Sequence, residues 1–158
     1  MVATTMPLIS SLISKLPDDF PAYTFTPADD FFWSPEKQTV FYVQESDDEA
    51  SLLHELAHAL LGHASYHKDI ELLDMERDAW HHAATDLAAR YNVSIPVDQV
   101  EDSLDTYRDW LHARSTCPHC AATGVQTKKR DYKCIACFTK WRVNDARVCA
   151  LRRYTLPN

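Results

Sequence analysis

Residues 52–62 read Leu-Leu-His-Glu-Leu-Ala-His-Ala-Leu-Leu-Gly, with His54 and His58 four positions apart and Glu55 beside the first of them. Four positions make about one turn of an α-helix, so both imidazoles lie on one face and their ring nitrogens can converge on one ion. Zn²⁺ is the default ion for such a pair. Glu55, about 100° further round the helix, points beside that ion, where it can take a proton from a water whose pKa zinc lowers to roughly 7. The flanking Leu52, Leu53, Ala57, Ala59, Leu60 and Leu61 make the segment apolar almost all round, which marks a buried helix. Unpaired imidazoles in such a helix would cost roughly 2–7 kcal/mol each, and the carboxylate more. A bound metal removes that cost.

Working outward, Ser46 with Glu49 has the form of a capping box and Gly62 suits a left-handed C-terminal cap, which predicts a helix over 47–61. Upstream, residues 23–26, 31–33 and 39–43 are rich in aromatic and β-branched types and are separated by turn signals. They predict a small antiparallel meander, and the third strand could offer an edge to an extended peptide. Leu8, Ile9, Leu12, Ile13 and Leu16 share one helix face, broken off by Pro17. The first sixteen residues have no basic start and no small-residue cleavage site, so a cytoplasmic protein without an export signal is expected. Downstream, Leu72, Met75, Ala79, Ala83, Leu87 and Tyr91 predict a helix over 70–91. Val100, Leu104, Tyr107 and Leu111 predict another over 97–114, beyond the break at Pro96.

A catalytic zinc site takes three protein ligands and keeps one open position. His63, His67, Glu71, Asp74, Glu76, Asp78, His81 and His82 all follow the motif closely enough to supply the third. His63 sits just past the helix cap. The longer pattern HExxHxxGxxH fails because Leu61 and Ala64 stand where Gly and His are required.

The stretch 52–62, followed by MERDAWHHAA at 75–84, resembles the ImmA/IrrE metallo-endopeptidases, in which a second helix carries a segment similar to ExEAxxxA. The resemblance covers roughly residues 31–91. It implies an α+β, gluzincin-like minimal metalloprotease, a small sheet packed on helices carrying HExxH, with Glu76 as third zinc ligand. It also implies that zinc polarises a scissile carbonyl while Glu55 activates water, and that the substrate is a helix-turn-helix repressor, often in phage or mobile-element control. An oxyanion helper is expected, with Tyr66, His81 and His82 as candidates. The family usually has Asp or Asn where Trp80 stands, so the sequence departs from the family pattern at that position.

Beyond Ser115 the composition shifts, which places a boundary between a 1–114 domain and a 115–158 domain. Cys117 and Cys120 form one CxxC, Cys134 and Cys137 another, thirteen residues on. Two such knuckles complete a closed tetrahedral Cys₄ site, so a structural zinc is expected besides the catalytic one. Cys149 is left as a buried thiol.

The net charge of −7 hides an asymmetry: through His112, 6 Lys and Arg stand against 21 Asp and Glu, a balance of −15, and from Ala113 on the balance is +8, 10 against 2. Lys128, Lys129, Arg130, Lys133, Lys140 and Arg142 are interleaved with aromatic residues, a pattern that grips nucleic-acid phosphates and stacks on bases, or docks on an acidic protein. In layout the chain is also similar to the SprT-like DNA-dependent proteases, which join HExxH to a zinc ribbon but take a His as third ligand. A non-proteolytic, zinc-folded regulator that binds DNA or a protein partner is a further class. With 2 Gly, 8 Pro and no apolar run of about 18 residues, collagenous and membrane-spanning classes are excluded.

Overall fold

In the computed structural model, which describes residues 8–147 and 150–157, the protein is α+β. Cys149 and residues 1–7 of the stretch read for an export signal lie outside the described residues. The chain forms two compact units. Residues up to Ser65 with Met75–Val97 make one, and Tyr66–Asp74 with the chain from Asp98 on make the other. The boundary expected after residue 114 falls elsewhere, because the start of one helix and most of another group with the cysteine strands.

The first unit opens with α1 (Leu8–Ile13) and α2 (Leu16–Asp19). Pro17 does not merely stop a helix but sits in the first turn of α2, where its missing N–H would have had no intrahelical partner anyway. Three short strands follow, β1 (Thr24–Pro27), β2 (Phe32–Ser34) and β3 (Thr39–Tyr42). They are not the antiparallel meander expected. The order is β1-β3-β2, with β1 parallel to β3 and only β2 antiparallel to it. β3 is therefore central and paired on both sides, so it has no free edge for a peptide. Its Val40 and Tyr42 are buried in the unit's core.

That core is built on α3 (Glu49–Leu60), which buries Leu52, Leu53, Leu56 and Ala57. The expected capping box gives way to a cap two residues further on: Asp48 accepts from the Ser51 amide at 3.0 Å, while Ser46 Oγ accepts from the Asp48 amide. At the other end Gly62 adopts φ +69°, with its N–H on the Ala59 carbonyl and that of His63 on the His58 carbonyl. This is the two-bond turn that glycine permits at a helix C-terminus.

The helix expected over 70–91 is interrupted. It runs as α4 (Asp69–His82), a π-helical turn Ala83–Leu87, and α5 (Ala88–Tyr91). Its apolar residues from Met75 to Tyr91 recur every four positions, and an α-helix would rotate that stripe by about 40° per step, about 160° in all. The wider π turn takes up part of this drift and keeps Ala83 and Leu87 in the core with Ala79.

The second unit contains α6 (Val97–Ser115) and an antiparallel sheet in chain order, β4 (Gly124–Lys128), β5 (Asp131–Cys134), β6 (Lys140–Val143) and β7 (Arg153–Thr155). Its small core is Cys117, Tyr132, Cys134, Trp141 and Val143. A side chain at Gly124 would collide with the Trp141 indole, so glycine is required there by close approach. Asp69, at the start of α4, accepts from Arg114 Nε at 2.8 Å and from the Tyr132 hydroxyl, all three nearly inaccessible to solvent. This buried pair ties both helices to the sheet and explains the division of the chain. Among the described residues no helix is long and apolar enough to cross a membrane.

Candidate metal centres

Within the first unit, α3 presents His54 and His58 one turn apart, and α4 brings Glu76 against them. His54 Nε2 lies 3.0 Å from Glu76 Oε2, His58 Nε2 lies 3.3 Å from Glu76 Oε1, and the two Nε2 atoms are 3.1 Å apart. Ligands about 2.0–2.1 Å from a tetrahedral zinc sit about 3.3 Å from one another. The donor set therefore fits such an ion, and all three side chains are buried. Burial pushes His54 below the ordinary imidazole value, against the pull of Glu76. For Glu76 burial alone would raise the carboxyl, but hydrogen bonds to both histidines outweigh it and hold it well below the usual range. Both shifts favour neutral imidazole and ionised carboxylate, the forms that bind metal.

Glu55 stands beside this group. Its Oε2 accepts the Trp33 amide at 2.9 Å, and its Oε1 is 4.0 Å from His54 Nε2. β2 is a sheet edge, so the Trp33 N–H can leave the ladder to reach the carboxylate. Burial pushes the Glu55 carboxyl up to about 7, with nearby His58 opposing the shift.

Two neighbours take parts that motif reading did not give them. His63, weighed in the sequence only as a ligand, instead places Nδ1 2.8 Å from His58 Nδ1. With His58 Nε2 given to a metal ion, the ring proton would sit on Nδ1 and donate to His63. The Trp33 indole N–H in turn holds the His63 carbonyl at 2.8 Å. The signal that could have found His63 is Gly62: a glycine-capped helix end folds the second residue past the cap back onto the last turn. Trp80 stacks on His54, with ring centroids 4.1 Å apart. His54 Nδ1 is left buried with no hydrogen-bond partner.

The other expected site residues divide. His67 and Glu71 are not in the ligand group; Glu71 accepts the backbone amides of His67 and Lys68 at the start of α4. Of the oxyanion candidates, His82 pairs with Asp86 at 2.8 Å, His81 is exposed, and Tyr66 belongs to the second unit.

In the second unit Cys117, Cys120, Cys134 and Cys137 converge, with Sγ–Sγ separations of 3.7 Å for Cys117–Cys137 and 3.5 Å for Cys120–Cys134. Four sulfurs about 2.3 Å from a tetrahedral zinc are about 3.8 Å apart, whereas a disulfide is about 2.05 Å long. The thiols are free and suited to a metal. Amide N–H groups of Ala136 and Cys137 point at Cys134 Sγ, at 3.3 and 3.4 Å, and lower its pKa. Hydrogen bonding to Thr139 brings the Cys137 thiol down to about 6. Among the described residues these are the two groups of three or more His, Cys, Asp or Glu able to hold a metal ion.

Of the six basic residues singled out in the sequence, Arg142 is bound by both oxygens of Asp131 at 2.7 and 3.1 Å, and Arg130 faces Asp145 at 3.8 Å. Lys128, Lys133 and Lys140 line one cleft of about 340 Å³ on the sheet, and Lys129 is exposed in the turn before β5. The chain matches no protein-family model, no curated protein and no solved structure.

Proposed function

We propose that the protein is a zinc-dependent endopeptidase of the ImmA/IrrE kind, with a gluzincin-like fold and two zinc ions, one catalytic and one structural. Its substrate in this reading is a specific intracellular protein, a helix-turn-helix transcriptional repressor, met in the cytoplasm and recognised with help from the Cys₄ ribbon. The observation that carries the reading is the convergence of His54, His58 and Glu76 with Glu55 held beside them. A buried set of two imidazoles and a carboxylate on two helices, with a second carboxylate excluded from it, is what hydrolysis asks of a chain.

A zinc ion held by His54, His58 and Glu76 supplies, when bound, a Lewis acid for the scissile carbonyl and a water of lowered pKa. The remaining work belongs to the protein. The Trp33 amide fixes Glu55 Oε2, which leaves Oε1 as the free acceptor on the side of the ligand group. Glu55 takes the proton of the attacking water as the carbon–oxygen bond forms, then delivers it to the amine nitrogen as the peptide carbon–nitrogen bond breaks. A carboxyl poised at about 7 is suited to both transfers at neutral pH.

The test compares new protein N-termini in cells producing wild type or Glu55→Gln. A repressor cut only by wild type is the expected result; identical sets contradict the reading. The cysteine ribbon favours a second reading, the SprT-like layout, although Glu76 stands where that family uses a His. Cleavage strictly dependent on added DNA would reverse the order of the two. A non-proteolytic regulator predicts function indifferent to Glu55→Gln.

A further inference from the structure

The sheet of the second unit has two unlike faces. Tyr132, Cys134, Trp141 and Val143 point into its core, and the alternate residues face outward. On the outer face the register sets Asp131 opposite Arg142, and Arg142 opposite Tyr154. One step along it sets Lys133 opposite Lys140. The first row contains a satisfied ion pair. The second places like charges directly across neighbouring strands, which opposes folding. The carboxylate nearest to hand, Asp131, is already taken by Arg142. Lys133, Lys140 and Lys128 thus line a cleft with apolar Leu156 and Pro157 at its side; Asp131 also lines it, opposite Lys128 but bound by Arg142, and among the described residues no carboxylate forms a salt bridge with any of the three lysines. Such a cluster calls for an anion from outside.

Aromatic rings flank it. Phe138 is 63% exposed, with Lys133 Nζ 5.3 Å from its ring centroid, and Tyr154 on the edge strand β7 is 50% exposed. Lysines beside exposed rings match alternating phosphates and bases. A duplex hides its base faces in the stack, and an acidic peptide would neutralise the lysines but leave the rings without a partner.

We propose that the outer face of the β4–β7 sheet binds single-stranded nucleic acid, with phosphates at Lys128, Lys133 and Lys140 and bases stacked on Phe138 and Tyr154. This site is independent of the peptidase reading and stands or falls without it.

The test uses the full-length, zinc-loaded chain and a fluorescein-labelled 20-nucleotide oligothymidylate, with binding followed by anisotropy over a series of salt concentrations. Lys133→Gln/Lys140→Gln removes two phosphate contacts and flattens the slope of log affinity against log salt by about 1.4. Phe138→Ala weakens binding about fivefold or more and leaves that slope unchanged. Lys140→Gln alone, in the absence of nucleic acid, leaves unfolding unchanged or shifts it to higher denaturant, which separates loss of binding from loss of fold. Metal content confirms that each variant keeps its ribbon. An unchanged salt slope in the double variant overturns the proposal. So does a duplex bound as tightly as the single strand, or a polyglutamate peptide that competes as well as unlabelled oligothymidylate.

Discussion

Replacing Asp69 with Asn removes a charge from the most buried ionic contact in the second unit. Asp69 and Arg114 are 2% and 3% exposed. Besides Asp69, the guanidinium is held by the Asn144 carbonyl, at 2.6 Å, and by the Trp110 ring face, 4.8 Å from its Cζ. Asparagine keeps an acceptor for the Tyr132 hydroxyl, so the loss is mainly the charge. Breaking one side of a buried pair costs about 3–5 kcal/mol, because the remaining ion stays desolvated. With a urea dependence of about 2 kcal/mol per molar, the unfolding midpoint should fall by about 2 M. Unfolding of zinc-loaded protein in urea measures it, with Arg114→Met and the double variant completing a cycle. Arg114→Met leaves a lone carboxylate and should cost a similar amount; the double variant, having no buried charge, should recover at least about 2 kcal/mol of the summed loss. Additive losses, or single losses under about 1 kcal/mol, would refute the claim that this pair holds the unit together.

Three further outcomes follow from the site and the sheet. His63→Ala should weaken zinc binding at the histidine site by about 10–100-fold in competition with a chelator, since it removes the group that orients His58, while the cysteine site is unaffected. Glu55 has a folded pKa raised from 4.5 to about 7, so its ionisation opposes folding: the contribution is favourable below pH 4.5 and is lost as pH rises through 7. With the histidine site free of metal, Glu55→Gln should therefore equal wild type in stability near pH 4, gain between pH 4.5 and 7 to at most about 3 kcal/mol, and stay level above; a pH-independent difference contradicts this. Gly124→Ala forces the Trp141 indole from its place and should cost about 1–3 kcal/mol in urea unfolding, whereas Val125→Ala, at an exposed neighbour, should cost little.

The features legible in the sequence were those set by short spacing. His54, Glu55, His58 and Gly62 lie within three turns of one helix, and each CxxC is a single knuckle, so local geometry was enough to place them. Glu76 came from likeness to a family, and α4 does bring it to the histidines. Pairing between strands was harder, because three short strands of similar composition carry no register: nothing in residues 23–43 says that β1 should reach past β2 to run parallel to β3. The Asp69–Arg114 pair was hidden for a related reason. Its members are 45 positions apart, and each reads locally as an ordinary charge at a helix end. The charge asymmetry also needed the fold, since only the register separates Arg142, already paired, from Lys133 and Lys140, which face each other.

The central claim is that the chain holds two metal ions in two chemically different sites. Native mass spectrometry after purification with zinc tests it most directly. Wild type should carry two zinc ions per chain, His58→Ala one, and Cys134→Ser should lose the other or fail to fold. A single zinc in wild type, unchanged by His58→Ala, would contradict the account.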